Sequence, residues 1–141
     1  MTDAPQHLGQ TLGQQRLISM EGGRAVIEYL AGMHMCHSGG VVQGGFVTGW
    51  IDAAMAHAVM SMHASAFAPM SLEVKVSFFA PVRPGVVIAE AWIERAGKST
   101  CFAEGLLKDE KGNVLAKASS TLRLIPLDKV QAGSRAALGQ S

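Results

Sequence analysis

Apolar and polar residues alternate along most of the second half of the chain, with the period of a β-strand. In SLEVKVSFF, residues 71–79, every second residue from Leu72 to Phe78 is apolar. This pattern predicts a strand that begins after the break at Ala68 and Pro69 and turns one face toward a core. The segments VVIAEAWIER, STCFAEGLLKD and VLAKASSTLRLI follow after short turns. We therefore predict four consecutive strands, of which the last three form an antiparallel meander.

Two more strands are predicted near the N-terminus. The segment LISMEGGRAVIEYL, residues 17–30, alternates on both sides of the pair Gly22 and Gly23. A glycine pair between two alternating segments is typical of a hairpin turn. The sequence thus predicts a first hairpin before the central part of the chain. Residues 1–15 and 127–141 show little periodicity and are interpreted as tails, the first with room for a short helix.

Between these regions, GGFVTGWIDAAMAHAVMSMHA, residues 44–64, changes to a helical period and carries one acidic residue, Asp52. A helix that is apolar on all sides should be buried. Short strands, one long helix and four further strands favour an α+β fold, in which a curved antiparallel sheet wraps around the central helix. Because one sheet covers only one side of the helix, we also expect a second protomer to cover part of it.

Composition narrows the function classes. The 141 residues carry a formal charge of +1, so binding to nucleic acid or to an anionic membrane surface is not expected. No apolar run approaches the 18 or so residues that cross a bilayer, and the N-terminus has no export signal, so we expect a cytoplasmic protein. In that compartment Cys36 and Cys101 are expected to be thiols rather than a disulfide.

Glycines at the start of the predicted helix point to chemistry. Free N–H groups in the first helical turn, aided by the helix dipole, stabilise negative charge, so Gly44 and Gly45 are candidates for binding an oxyanion. Asp52 is the nearby carboxylate, but by the helical rise it lies about 10 to 11 Å from the glycines of its own chain. A two-fold dimer would bring one protomer's Asp52 beside the other's Gly44. A tight turn followed by an exposed Asp remains an alternative interpretation.

A second chemical pattern is MHMCH, residues 33–37, because His and Cys are good zinc ligands. In an extended segment, alternation places His34 and Cys36 on one face and His37 on the other. No second ligand pair is evident in the sequence, so we predict no metal site.

Three blocks together resemble a known family: GGVVQGGFVTGWIDAAMAHAV, SLEVKVSFFAPVRPG and AGKSTCFAEGLLKDEKGNVLAKASSTLRL. In order and spacing they are similar to the hotdog-fold acyl-CoA thioesterases of the phenylacetate-pathway, or PaaI-like, type. The resemblance covers one domain, residues 16–126. It implies a hotdog fold, dimers that pair into tetramers, and active sites at the dimer interface.

The resemblance also implies roles for individual residues. Asp52 matches the family's acidic catalytic residue, which acts as general base or nucleophile, and Gly44 matches the backbone N–H that polarises the thioester carbonyl. His37 falls near the carbonyl or the attacking water, and Ser71 matches a residue that helps to hold that water. Gln43 departs from the His that many members carry before the glycine pair. The implied substrate-binding and coenzyme A-binding positions are Gln43, Gly45, Arg83, Gly97, Lys98 and Ser99.

These features predict an acyl-CoA thioesterase that releases a small or medium acyl or aroyl group as the free acid. A thioester has a good leaving group, so one carboxylate and one oxyanion donor suffice without a cofactor. The alternative is a non-catalytic hotdog protein that senses acyl-CoA, although pure binding has little use for a lone carboxylate beside an anionic ligand. A hotdog dehydratase is a weaker option, because the usual hydratase motif of Asp and His is missing.

Overall fold

A six-stranded antiparallel sheet wrapped around one long helix forms the body of the protein in the computed structural model, which describes residues 7–63 and 66–139. The spatial order of its strands is β1-β2-β6-β7-β8-β5, and β3 and β4 form a separate two-stranded pair. The predicted α+β hotdog architecture is confirmed, including the first hairpin and the meander. The elements in chain order are α1 Leu8–Thr11, β1 Gln14–Glu21, β2 Arg24–Ala31, β3 Cys36–His37, β4 Val41–Val42, α2 Gly44–His63, β5 Phe67–Phe78, β6 Gly85–Ala96, β7 Thr100–Asp109, β8 Val114–Pro126 and α3 Leu127–Ala137.

Helix α2 packs its apolar face into the concave side of the sheet, and this contact is the core of the domain. Gly105 on β7 permits the close approach, because a Cβ at this position would lie 2.7 Å from Cγ2 of Ile51. The Trp50 indole stacks on Tyr29 and donates a 2.7 Å hydrogen bond to the Leu12 carbonyl, which holds the N-terminal segment against the helix. The buried residues of α2 are Val47, Trp50, Ile51, Ala54, Met55, Ala58 and Val59.

The opposite side of α2 is only half-buried in one protomer. It includes the small residues Thr48, Gly49, Ala53 and Ala56 and carries the one acidic side chain of the helix, Asp52. The second protomer expected on this side stays a prediction. None of the described helices is long and apolar enough to cross a membrane.

Strand β5 differs from its predicted form at two points. It begins at Phe67 and continues through Pro69, because β5 is an edge strand and can accommodate a residue without an N–H. A bulge between Ser71 and Glu73 then shifts the alternation by one residue. Leu72 consequently is 60% exposed and does not join the core, contrary to the predicted face.

The C-terminal tail contains an element that the sequence pattern did not predict. Residues Leu127–Ala137 form α3, in which no residue is buried. The helix is amphipathic, with Leu127 and Val130 half-buried on its apolar side. It is short and mostly polar, and the sequence analysis therefore took it for part of a tail.

Candidate active site

The start of helix α2 is shaped by the residue that precedes it. The Gln43 carbonyl accepts the 3.0 Å hydrogen bond from the Phe46 N–H, and its side-chain Oε1 accepts a 2.8 Å bond from the Gly45 N–H. Gln43 therefore caps the helix with both its backbone and its side chain. In the part of the chain that the structure describes, the Gly44 N–H donates to no protein acceptor.

A cavity of about 370 Å³ lies at this end of α2. Gly44 forms part of its wall, and the only titratable side chain among the described lining residues is that of His37. The remaining wall is apolar and comes from β4, α2, the end of β5 and the segment after it. These residues are Val41, Val42, Val47, Phe78, Phe79, Ala80, Pro81 and Val82. The cavity thus suits an uncharged group presented to one free amide.

The Phe78 ring lies directly beside Gly44. A Cβ at position 44 would be 3.2 Å from Cζ of this ring, so a glycine allows the ring and the helix start to approach closely. Phe78 remains 55% exposed because it lines the cavity mouth rather than the core under α2. The strand alternation predicted Phe78 on the core face, and neither Phe78 nor Phe79 was expected to line a cavity. Two adjacent aromatic residues at the end of an alternating strand, just before a Pro-rich loop, could have indicated that they line a cavity.

Asp52 and Ser71 form a second polar centre, separate from the cavity. Ser71 lies at the β5 bulge, which turns its side chain toward α2, and its hydroxyl donates a 2.7 Å hydrogen bond to Oδ1 of Asp52. Both side chains are half-buried, and neither lines the cavity. Asp52 lies eight positions after Gly44 in the helix, which corresponds to about 12 Å along the axis. One protomer therefore holds the predicted acid and the predicted amide apart.

The remaining predicted residues are divided between the two ends of the sheet. Arg83 lies near the cavity end, where its guanidinium donates a 3.1 Å hydrogen bond to the Gly39 carbonyl. It also lines a second cavity of about 380 Å³, beside the turn between β7 and β8. The exposed turn of Gly97, Lys98 and Ser99 lies at the other end of β6, on the order of 30–40 Å away at about 3.3 Å per residue. Within one protomer these two loops do not meet.

Backbone bonds fix that far turn. The Gly97 N–H donates to the Thr100 carbonyl, and the Ser99 carbonyl accepts from the Leu124 N–H, at 2.9 Å each.

Within residues 7–63 and 66–139, no three side chains of His, Cys, Asp or Glu are grouped as metal ligands.

Comparison with known proteins identifies the family. The family model of the Thioesterase superfamily matches residues 39–116, which include the start of α2, Asp52 and Ser71. This chain belongs to the Thioesterase superfamily. Among curated proteins, the one named "Putative esterase SSO2140" from Saccharolobus solfataricus is 30% identical over 117 residues, or 83% of this chain and 82% of that protein.

Solved structures of similar proteins share the fold of this chain. A phenylacetic acid degradation-related protein from Ralstonia eutropha JMP134 has a TM-score of 0.76 and 26% identity, covering 82% of this chain and 87% of that one. The Escherichia coli PaaI protein from the phenylacetic acid degradation operon has a TM-score of 0.76 at 23% identity, covering 83% of each chain. The resemblance to hotdog-fold, PaaI-like thioesterases is thus confirmed.

Proposed function

We propose that this protein hydrolyses the thioester of an acyl-coenzyme A to the free acid and the thiol, at sites formed between two protomers. Membership of the Thioesterase superfamily supports hydrolysis of thioesters in general. One observation carries the finer proposal: a free Gly44 N–H opens into an apolar cavity, while a carboxylate held by Ser71 lies on the uncovered side of the same helix.

The Gly44 amide has the position needed to polarise a carbonyl. It lies at the positive end of a 20-residue helix, beside a cavity whose wall is mostly apolar. As water attacks the carbonyl carbon, the oxygen gains negative charge and the amide stabilises it more strongly than it stabilises the substrate.

Asp52 supplies the second part of the reaction. As general base it takes a proton from the attacking water; the tetrahedral intermediate then collapses, the C–S bond breaks and the leaving thiolate takes up that proton. As nucleophile it would instead form a mixed anhydride, which water hydrolyses in a second step. The Ser71 bond to Oδ1 leaves Oδ2 for either role. Entry of ¹⁸O from water into Asp52 in a single turnover identifies the nucleophilic route, because only hydrolysis of the anhydride at the Asp52 carbonyl places that label in the side chain.

The distance of about 12 Å along α2 is the reason for proposing a shared site. A two-fold partner that covers the half-buried side of α2 would bring its Asp52 toward the cavity that holds Gly44 and His37. Such dimers are expected to pair into tetramers. Another protomer would also be required to bring the turn at Lys98 near the Arg83 loop, where both cations suit coenzyme A phosphates.

The first experiment measures thiol release from acyl-, phenylacetyl- and benzoyl-coenzyme A by wild type and by Asp52→Asn. We expect the variant to lose on the order of a hundredfold or more in kcat. If the wild-type protein binds these esters but releases no thiol, it is not a thioesterase, and the alternative of a non-catalytic acyl-CoA sensor is favoured.

The second experiment tests whether the site is shared. Gly44→Pro removes the N–H at a first helical position, where Pro is otherwise tolerated, and Asp52→Asn removes the base. When equal amounts of the two inactive variants are unfolded together and refolded, half of the dimers contain one chain of each variant. If the sites are shared, each mixed dimer has one site with both changes and one site with neither. Activity should then return to about a quarter of wild type. If the site lies within one chain, every chain carries a defect and no activity returns.

A further inference from the structure

The first turn of α2 offers its N–H groups unequally. The Phe46 N–H is bonded to the Gln43 carbonyl and the Gly45 N–H to Gln43 Oε1, so the Gly44 N–H is the one left for a ligand among these three. By their place at the helix start the two glycines are both candidates for binding an oxyanion, and only the family resemblance assigned the carbonyl to Gly44. A single side chain distinguishes between them in the structure.

The space around the two glycines is divided in the same way. A Cβ on Gly45 would lie 2.6 Å from Gln43 Oε1, whereas a Cβ on Gly44 would lie 3.2 Å from the Phe78 ring. The Gln43 side chain thus occupies the N–H of the second glycine, which is exposed, and the first glycine lines the cavity. A substrate carbonyl that enters the cavity can therefore accept a hydrogen bond from the Gly44 N–H but not from the Gly45 N–H.

From this arrangement we infer that Gln43 is a positioning residue: by occupying the Gly45 N–H, it confines the substrate carbonyl to the Gly44 N–H. The inference rests on the proposed function. Adjacent N–H groups point the same way along a helix but lie about 1.5 Å apart in rise and about 100° apart around the axis, so a carbonyl that shared both would be displaced relative to the attacking group. An error of about 1 Å in such a geometry is enough to lower a rate by about a hundredfold.

The neutrality of the cap is part of the inference. Asp, Asn, Ser and Thr are the usual capping residues, and an acidic side chain at a helix start is favourable to the helix. Beside a carbonyl that becomes an oxyanion, however, the same negative charge opposes the reaction. The long, uncharged side chain of Gln43 accepts the hydrogen bond from the Gly45 N–H, so it caps the helix without placing a charge at the site.

Gln43→Glu separates catalytic positioning from helix stability, because it keeps the shape and the acceptor while adding the charge. We expect its melting temperature to be equal to or above that of wild type and its kcat at pH 7.5 to fall at least tenfold, with a smaller change in KM. Gln43→Ala should lose kcat about tenfold and also lower the melting temperature, and Gln43→Asn should recover most of both. Gln15→Ala is the matched control, since Gln15 also bonds a backbone group at an exposed position but lies outside the site.

The outcomes distinguish this inference from the function on which it rests. An active wild type whose Gln43→Glu variant keeps kcat within twofold overturns the inference alone. The same holds if the kcat of Gln43→Ala falls only in proportion to its folded fraction. A wild type that releases no thiol overturns the proposed function and this inference together.

Discussion

The Ser71 hydroxyl donates a 2.7 Å hydrogen bond to Oδ1 of Asp52, joining the edge strand β5 to the middle of helix α2. The bond exists because the bulge between Ser71 and Glu73 turns Ser71 toward the helix. A hydroxyl donor fixes the carboxylate without adding a positive charge, so one oxygen is held and the other is left for chemistry. The bulge in β5 therefore sets the direction of the candidate catalytic group.

Ser71→Ala should lower kcat about tenfold while leaving the fold intact, because Asp52 loses the group that orients it. Ser71→Thr keeps the hydroxyl and should keep most of the activity. Ser77→Ala is the matched control, because Ser77 is exposed on the same strand beyond the bulge. The measurement is steady-state thiol release together with circular dichroism. Unchanged kcat in Ser71→Ala would show that Asp52 is oriented without this bond.

The exchange of Gly44 for alanine tests the contact with Phe78. The new methyl group would lie 3.2 Å from the ring, so the ring must move by a few tenths of an ångström into the cavity. We expect kcat/KM to fall more for benzoyl- than for acetyl-coenzyme A, and Phe78→Leu in the same chain to restore part of the loss. Gly133→Ala is the control, because that helical glycine has open space around it. Equal losses for both substrates would contradict the assignment of this wall to the acyl group.

Much of the fold could be predicted from the sequence because its strands are half-buried and alternate. The departures have local physical causes. Ser71 and Leu72 exchange sides because a bulge shifts the period by one residue, and a bulge leaves no mark in a pattern of polar and apolar letters. Helix α3 was missed although it is amphipathic, because its apolar residues, Leu127 and Val130 among them, are few and none is fully buried.

The candidate site was predictable in its residue types rather than in its arrangement. Gly44 and Asp52 follow from the family resemblance, and their separation follows from the helical rise. The bond from the Gly45 N–H to Gln43 depends on where a flexible side chain settles after packing, and glutamine is not among the usual caps. The separation of Lys98 from Arg83 within one protomer follows from the length of β6.

Gly105→Ala should destabilise the protein without affecting the chemistry. A methyl group here would lie 2.7 Å from Cγ2 of Ile51 and 3.1 Å from the Glu90 carbonyl, and the latter is held in the sheet and cannot move away. Overpacking of this kind costs about 1–3 kcal/mol of unfolding free energy. Urea denaturation measures the change, and kcat per folded molecule should stay at the wild-type value. A stability equal to that of wild type would show that α2 can move away from β7.

The turn between β7 and β8 should make a stability contribution that depends on pH. Asp109 accepts a bond from the Asn113 side-chain amide at 3.0 Å and from the Asn113 and Lys111 N–H groups at 3.0 and 2.9 Å. These bonds, with the Asn113 side chain first, lower the pKa of Asp109 below its ordinary value of 3.8. Because the folded pKa is the lower one, the stabilisation is fully present above about 3.8 and is lost as the pH falls through the folded pKa.

Removal of the amide in Asn113→Ala should raise the Asp109 pKa toward 3.8, because the backbone N–H bonds alone favour the carboxylate less strongly. Titration of the Asp109 carboxyl carbon by NMR measures both values directly. Lys111→Ala serves as the control, since that substitution keeps its backbone N–H and removes only an exposed, solvent-screened charge. The pKa in that variant should stay close to that of wild type. Equal pKa values in Asn113→Ala and wild type would mean that the backbone bonds alone hold the carboxylate in its charged form.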